Sequence, residues 1–166
     1  LAFQFMDMGN IQPGQNVLIY GASGTTGTVA IQYARYLGAK VTGVCSTSNL
    51  ELVKSLGADT VIDYTNVDTI DPGVQYDFIL DAVGKSKTSK FKAACKKALA
   101  TGGKYVSIDD AALLLDSKRL AKIRKLSEAG YLKPFIDRSY QLEEIAEAHR
   151  YVEKGHKKGG VVIKVK

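Results

Sequence analysis

Short runs of apolar, β-prone residues alternate along the chain with stretches in which apolar residues recur at helical spacing. The short runs predict five strands, at residues 17–20, 40–45, 60–64, 76–81 and 104–108. The longer stretches predict helices before and between them, at residues 3–9, 28–37, 50–56 and 88–100. Strands that alternate with helices indicate an α/β fold, a doubly wound parallel sheet covered on both faces. Right-handed crossovers give the strand order 3-2-1-4-5.

The alternation of strands and helices ends after residue 108. Asp109 and Asp110 are positioned to cap a following helix, and residues 131–140, which contain Pro134, predict an extended segment or loop. The remaining pattern predicts two C-terminal helices and a final strand, at residues 111–129, 142–154 and 161–165. We therefore expect a single domain over residues 1–166, in which residues 109–166 form a helical segment with a closing strand.

The turn after the first strand carries glycines three residues apart, directly before a helix. Such glycines let the backbone bend sharply and leave room for a pyrophosphate, while the helix presents unpaired N–H groups to the anion. The alternative is a tight structural turn without a ligand. The strand before the turn and the helix after it favour a Rossmann-type dinucleotide-binding site. The residues expected to form this part of the site are Gly21, Ala22, Ser23, Gly24, Thr25, Thr26 and Gly27.

The end of the second strand bears on which nicotinamide cofactor is used. A site for NAD places Asp or Glu there, about 20 residues past the glycine turn, to hold the ribose 2′-hydroxyl. Residues 43–50 contain no acid, whereas Ser46 and Asn49 offer hydroxyl and amide donors at the start of a helix. Because an acid would repel a 2′-phosphate, its absence favours NADP over NAD. A polar turn with no ligand is the alternative.

Composition narrows the class of protein. With 45% hydrophobic and 24% charged residues, the chain resembles an ordinary globular domain. No apolar run approaches the roughly 20 residues needed to cross a bilayer, so no membrane partner is expected. Two cysteines, Cys45 and Cys95, are too few for a disulfide framework or a four-cysteine zinc site. No metal and a cytoplasmic location are expected.

A net charge of +6 comes largely from lysine-rich predicted helices. Basic stripes are also the electrostatic footprint of nucleic-acid binding. No recognised nucleic-acid motif accompanies them, however, so solvated helix faces are favoured and a nucleic-acid partner is not expected. A non-catalytic dinucleotide-sensing or RNA-binding module remains the alternative function.

Several motifs in this order resemble the medium-chain dehydrogenase/reductase superfamily, most closely its zinc-independent quinone oxidoreductase branch. They are residues 20–27 (YGASGTTG), 56–59 (LGAD), 61–64 (VIDY), 80–84 (LDAVG) and 102–105 (GGKY). The resemblance implies that hydride passes from NADPH to a quinone or enone. It also implies site residues after later strands: Tyr64 near the adenine ribose or 2′-phosphate, Ala82, Val83 and Gly84 near the nicotinamide ribose, and Ser107 and Ile108 beside the nicotinamide ring.

The chain departs from that family in what it contains. Members carry an amino-terminal catalytic domain and a sixth strand used for dimerisation, and neither has a counterpart here. We therefore expect a unit that binds cofactor without turnover. The small-molecule substrate is expected to bind mainly to the missing domain, and the catalytic residues, which are unknown, are expected to lie there. The open edge of the fifth strand is expected to be covered by residues 161–165 or by a second copy in a homodimer. Relatives usually place Lys where this chain has Gly160, which argues against a cofactor contact by His156 and its neighbours.

Overall fold

A computed structural model describes residues 1–85, 89–114 and 116–165. Five parallel strands form the main sheet in the order β3-β2-β1-β4-β5. Their bounds are Asn16–Tyr20 (β1), Lys40–Cys45 (β2), Thr60–Asp63 (β3), Tyr76–Asp81 (β4) and Leu99–Ser107 (β5). The predicted fold class and strand order are confirmed.

Helices precede and connect these strands. Their bounds are Ala2–Asp7 (α1), Thr25–Tyr36 (α2), Leu50–Ser55 (α3), Lys90–Lys97 (α4), Ser117–Glu128 (α5) and Ile145–Glu153 (α6). Short 3-10 turns, Thr47–Asn49 and Leu142–Glu144, lead into α3 and α6. The predicted start of the fourth helix at residue 88 lies outside the described residues. Within the described ranges no helix combines the length and apolar character that a membrane span requires.

The central strand β1 packs on both of its faces. Val17 and Ile19 belong to a core cluster that includes Ile31 of α2. Leu18 and Tyr20 point to the opposite face, in a second cluster that includes Phe91 of α4. Alternate residues of one strand therefore anchor helices on both sides of the sheet, which explains the nearly continuous apolar run in this segment.

The start of β5 corrects the predicted end of the fourth helix. The pattern predicts helix up to residue 100 and strand only from 104, whereas α4 ends at Lys97 and β5 begins at Leu99. Leu99 pairs with Tyr76 at the start of β4, and the register shifts before Phe78 pairs with Lys104. The start of β5 is held in place by pairing with β4. The spacing of apolar residues within one segment cannot predict such pairing with a distant strand.

The helix predicted over residues 111–129 begins later than expected. Its N-cap is Asp116, whose carboxylate accepts a hydrogen bond from the amide of Lys118, and the helix starts at Ser117. Asp109 and Asp110 do not cap it. Their carboxylates instead accept hydrogen bonds from the backbone amides of Lys85 and Ser107, so they fasten the end of β5 to the turn after β4.

The C-terminal strand lies away from the edge where it was expected. The segment predicted as extended contains a strand, Ile136–Gln141 (β6), and the last strand, Gly160–Lys164 (β7), pairs with it in a separate two-stranded parallel sheet. Residues 161–165 therefore do not cover the edge of β5. Just before β7, Gly159 forms a bridge to Gly24 at the start of α2. This contact joins the two sheets beside the glycine turn.

Candidate functional site

Two glycines of the turn after β1 are required by the fold itself. Gly21 has a φ of +82°, and its amide and that of Ala22 donate to the carbonyl of Val44 at 3.1 and 2.9 Å. A Cβ on Gly27 would lie 2.2 Å from the carbonyl oxygen of Gly21. The missing side chain at residue 27 thus lets α2 pack directly against the turn, and the turn is fixed to β2.

Gly24 has neither requirement. Its φ of −77° and ψ of 175° suit any residue, and it is the N-cap of α2. A Cβ built on it meets the carbonyl oxygen of Gly21 at 3.5 Å, an ordinary contact, and apart from its chain neighbours no other heavy atom of the described residues lies within 4 Å. The space in front of Gly24 is therefore open, at the N-terminus of a twelve-residue helix.

That space belongs to a cleft of about 420 Å³ at the carboxyl ends of β1, β2 and β4. This is where nucleotides bind in doubly wound sheets, because the strand order reverses beside β1. Its predicted lining residues are Gly21, Ser23, Gly24, Ser46, Asn49, Tyr64, Ala82 and Val83. Its other lining residues are Tyr20, Cys45, Ser48, Gly155, His156 and Lys157.

The remaining predicted residues lie behind this lining. Ala22, Gly27 and Ser107 are buried, and Gly84 is packed against the Asp109 carboxylate. Ile108 is partly buried against the larger core cluster. Thr25 and Thr26 form the first turn of α2, beside the cleft but not among its lining residues. These predicted residues are therefore not part of the cleft surface.

The turn after β2 is organised by Asn49. Its side-chain amide donates to the hydroxyls of Ser23 and Ser46, at 3.2 and 3.1 Å, and so ties this turn to the glycine turn. Its side-chain carbonyl oxygen is buried and has no hydrogen-bond partner among the described residues. Asn49 occupies the N-cap position of α3 but makes no side-chain capping bond. Its side chain therefore shapes the cleft and does not stabilise the helix end.

Aromatic rings and a carboxylate border the same turn. The ring centroids of Tyr20 and Tyr64 lie 6.3 Å apart, and Tyr64 is 41% exposed. The Asp63 carboxylate accepts hydrogen bonds from the hydroxyls of Thr47 and Thr65, which lower the pKa of this carboxyl. Asp63 is thus occupied by its neighbours, while Tyr64 offers a ring face on which a flat group can lie.

A buried polar network fixes the turn after β4. Asp81 is fully buried and accepts hydrogen bonds from the amides of Val83 and Gly84, both at 3.1 Å. Its other oxygen lies 2.5 Å from the Lys92 ammonium and accepts a hydrogen bond from the Tyr105 hydroxyl. Burial, and then this hydrogen bond, raises the pKa of Tyr105. The network holds the backbone that lines one wall of the cleft.

The C-terminal strap, residues 155–159, reaches the cleft although the sequence argued against it. The amide of Gly159 donates to the carbonyl of Ser23 at 2.8 Å, and the Thr25 hydroxyl donates to the carbonyl of Gly159 at 2.6 Å. The Lys157 ammonium donates to the Thr25 hydroxyl and to the carbonyl of Gly159. The basic residues next to Gly159 were the signal in the sequence for this contact. That signal was set aside because relatives usually have Lys where this chain has Gly160.

Reactive and metal-binding groups are sparse in the described parts of the chain. Cys45 and Cys95 are free and buried, and burial raises the pKa of the Cys45 thiol to about 11. A thiol with such a pKa is a poor nucleophile at neutral pH. Across residues 1–85, 89–114 and 116–165, no group of three or more His, Cys, Asp and Glu side chains could hold a metal ion.

Several of the known proteins that this chain is similar to are oxidoreductases. The chloroplastic NADPH-dependent alkenal/one oxidoreductase of Arabidopsis thaliana is 32% identical, over 98% of this chain and 45% of its own length. The 2-methylene-furan-3-one reductase of Solanum lycopersicum is 31% identical, over 98% and 43%. The structure of a quinone oxidoreductase from Coxiella burnetii has a TM-score of 0.89 at 27% identity, over 99% of this chain and 57% of that chain.

The chain spans about half the length of the curated relatives it matches. A family model described as zinc-binding dehydrogenase matches residues 25–131, and another of the same description matches residues 111–163. The resemblance to quinone oxidoreductases is confirmed by these relatives. Since one model covers well over half of the chain, the protein belongs to the zinc-binding dehydrogenase family of the medium-chain dehydrogenase/reductase superfamily.

Proposed function

We propose that this chain is the NADPH-binding unit of an oxidoreductase that transfers hydride from the nicotinamide to a quinone or enone. The relatives' names support this reaction class, because they describe an alkenal/one oxidoreductase, a furanone reductase and a quinone oxidoreductase. A non-catalytic sensor or RNA-binding module is not favoured by these relatives. The chain by itself is expected to bind cofactor, with substrate held by a catalytic domain.

Gly24 is the single observation that carries the proposal. Neither its backbone angles nor its contacts within the described residues require glycine. A side chain there would instead project into the cleft, at the N-terminus of α2, where a diphosphate is stabilised by backbone N–H groups and the helix dipole. A ligand that needs close approach to the backbone explains why this position is bare.

The turn after β2 supports the proposed preference for NADP over NAD. Ser46 and Asn49 line the cleft there, and residues 43–50 carry no acid that would hold a 2′-hydroxyl or repel a 2′-phosphate. Tyr64 lies beside the same turn, where its ring can pack against the adenosine end of the cofactor. The adenosine end is therefore proposed to lie against β2 and β3.

The nicotinamide end is proposed to lie along the turn after β4. When bound, the reduced nicotinamide supplies the hydride. Ala82 and Val83 present a small, apolar wall there, and Asp81 holds their backbone in place. Orientation is the contribution of this chain, because a hydride transfers only when donor and acceptor are held in close, defined geometry.

Zinc independence and a cytoplasmic location also belong to the proposal. Two cysteines are too few for a four-cysteine zinc site, and free buried thiols suit a reducing compartment. Elemental analysis of the purified protein and fractionation of cells that express it would test these two points separately.

The decisive experiment is a fluorescence titration of the 166-residue chain with NADPH and NADH, repeated with Gly24→Val. Val is compatible with the backbone angles of residue 24, so we expect a folded variant that loses no more than about 1 kcal/mol of stability at the helix N-cap. We expect at least a tenfold loss of NADPH affinity, about 1.4 kcal/mol. The loss arises because the branched side chain occupies the position proposed for the diphosphate.

Gly27→Ala is the matched control from the same turn. Its Cβ would overlap the carbonyl of Gly21, so we expect a less stable protein even without cofactor, by about 1–3 kcal/mol. A folded Gly24→Val chain that binds NADPH as tightly as the parent would contradict the proposed site. Tight, steeply salt-dependent RNA binding without NADPH binding would favour the RNA-binding alternative.

A further inference from the structure

The turn proposed to receive the 2′-phosphate carries no charge of its own. Residues 46–49 are Ser, Thr, Ser and Asn. A phosphate monoester carries close to two negative charges at neutral pH, and proteins that select NADP commonly meet it with a cation. Hydroxyl and amide donors alone would leave most of that charge uncompensated. If this site selects NADP, a cation must reach the turn from another part of the chain.

Lys158 places a cation at this turn from the C-terminal strap. Its ammonium donates to the carbonyl of Ser48 at 3.1 Å, and Ser48 lines the cleft. An ammonium has three donors, and in the described part of the structure this bond uses one of them. Two donors and the full positive charge are thus available at the backbone of Ser48, although Lys158 itself is not among the residues that line the cleft.

The position of Lys158 is fixed by the fold on both sides. Its own amide donates to the Asp137 carboxylate at 3.0 Å, which the Tyr151 hydroxyl also contacts. The next residue, Gly159, is hydrogen-bonded to the glycine turn. The side chain therefore starts from a backbone held between the two sheets, which makes its reach to Ser48 a property of the folded chain.

Its neighbour Lys157 points to a different part of the cleft. The Lys157 ammonium donates to the Thr25 hydroxyl at the first turn of α2. That region is proposed to hold the diphosphate, which NADPH and NADH share. The two adjacent lysines therefore face chemically different parts of the same cofactor.

We propose that Lys158 is a specificity-determining residue, which selects NADP over NAD by pairing with the 2′-phosphate across the turn at Ser48. This inference rests on the proposed function. It assigns the discrimination to the C-terminal strap, and not to a charged residue of the turn after β2. Lys157 contributes to binding of both cofactors.

The test compares the intact parent chain with the variants Lys158→Gln and Lys157→Gln. For each protein, affinities are measured for NADPH and NADH and for the fragments 2′,5′-ADP and 5′-AMP. In Lys158→Gln a charge-assisted hydrogen bond to the 2′-phosphate is lost, so the affinities for NADPH and for 2′,5′-ADP are expected to fall roughly tenfold. Affinities for NADH and 5′-AMP should change less than about twofold in that variant, since they lack the 2′-phosphate. Lys158→Arg should retain the preference.

Lys157→Gln is the matched control, and it should lower the affinities for NADPH and NADH by the same factor. Equal weakening of both dinucleotides in Lys158→Gln, or no change in either, would overturn the assignment of Lys158. A parent chain that binds NADH as tightly as NADPH would overturn it too, while leaving dinucleotide binding intact. A folded parent chain that binds neither dinucleotide would reject the proposed function itself.

Discussion

Gly24 and Gly27 are three residues apart in one motif, yet the structure gives them different reasons for being glycine. Gly27 is fixed by contact with the backbone of Gly21, whereas Gly24 faces open space. The sequence treats both as members of a phosphate-binding turn. Only the positions of neighbouring atoms separate the glycine needed for packing from the one that leaves room for a ligand.

Lys92 is the clearest residue that the sequence misrepresents. It lies in a lysine-rich helix whose charges were expected to be solvated, yet its side chain is 8% exposed. It pairs with buried Asp81 and donates to the carbonyl of Gly84 at 2.6 Å. A cation in that position compensates a carboxylate that organises the turn after β4.

Lys92→Met is therefore expected to lower the free energy of unfolding by about 3–5 kcal/mol, because Asp81 would remain buried without its cation. Urea denaturation measures this loss. Lys90→Met, an exposed position on the same helix, should stay within about 0.5 kcal/mol of the parent.

A second change distinguishes the charge effect from loss of packing. In the double variant Asp81→Asn with Lys92→Met, no uncompensated charge is buried, so part of the lost stability should return. If Lys92→Met alone is as stable as Lys90→Met, the pair has no structural role.

At the scale of elements, the junction between β5 and α5 shows how a plausible local signal gave the wrong helix start. Asp109 and Asp110 precede an apolar stretch, which is typical of an N-cap. In the structure their carboxylates accept hydrogen bonds from backbone amides in the turn after β4 and at the end of β5, and Asp116 caps the helix. Hydrogen bonds to the turn after β4 and to the end of β5 take the place of the predicted helix cap.

The carboxyl of Asp110 should make stability depend on acid. A hydrogen bond from Lys85, and the amide of Ser107, hold the pKa of Asp110 below its usual value of about 3.9. Its contribution is therefore fully present above pH of about 4 and lost as pH falls through the lowered pKa. Asp110→Asn, which keeps an acceptor for Ser107, should be less stable than the parent at pH 7, and the difference should shrink towards pH 3.

Urea denaturation at several pH values between 7 and 3 measures this trend. Asp68→Asn, in the exposed loop before β4, is the matched control and should show little difference at any pH. A gap between parent and Asp110→Asn that stayed constant down to pH 3 would rule out the proposed role of the ionised carboxylate.

At the scale of the whole molecule, the C-terminal strap couples the small β6–β7 sheet to the glycine turn. Gly159 has a φ of +55°, and a Cβ there would lie 2.4 Å from the carbonyl oxygen of Phe135. Gly155 also has a positive φ, +74°, but apart from its chain neighbours a Cβ there would meet no heavy atom of the described residues within 4 Å. The two positions form a natural pair for measuring the contact.

Gly155→Ala should cost about 1–2 kcal/mol of stability from its left-handed backbone alone. Gly159→Ala should cost about 1–3 kcal/mol more, because the strap must move away from Phe135. Chemical denaturation compares the two variants, and hydrogen exchange of the Gly159 amide reports whether the strap detaches. Equal losses would mean that the close contact has no energetic weight.

Assembly is a proposal at the same scale. Because β7 pairs with β6, residues 161–165 leave the edge of β5 to other partners. We propose instead that the edge of β5 pairs with a second copy of the chain in a homodimer. Sedimentation of the chain at several concentrations would test for a homodimer.

Local patterns along the chain were enough to predict the fold class, the strand order, the glycine turn and the family resemblance. Each of these features depends on residues that are close together in the sequence: apolar runs of strand length, helical spacing between them, and motifs of a few consecutive residues. Alternation of strands and helices then leaves few topologies, because parallel connections are right-handed. Ser46 and Asn49 could be placed near the cleft because they follow a strand that ends at this edge of the sheet, whereas Tyr64 was placed by the family resemblance alone.

Tertiary structure alone decided the rest. The start of β5 depends on pairing with β4, the burial of Lys92 on an acid eleven residues away, and the reach of Lys158 on a turn 110 residues earlier in the chain. The location of β7 depends on which strand edge it meets. These features come from contacts between distant segments, and no local pattern of hydrophobic and polar residues specifies which distant segment will be the partner.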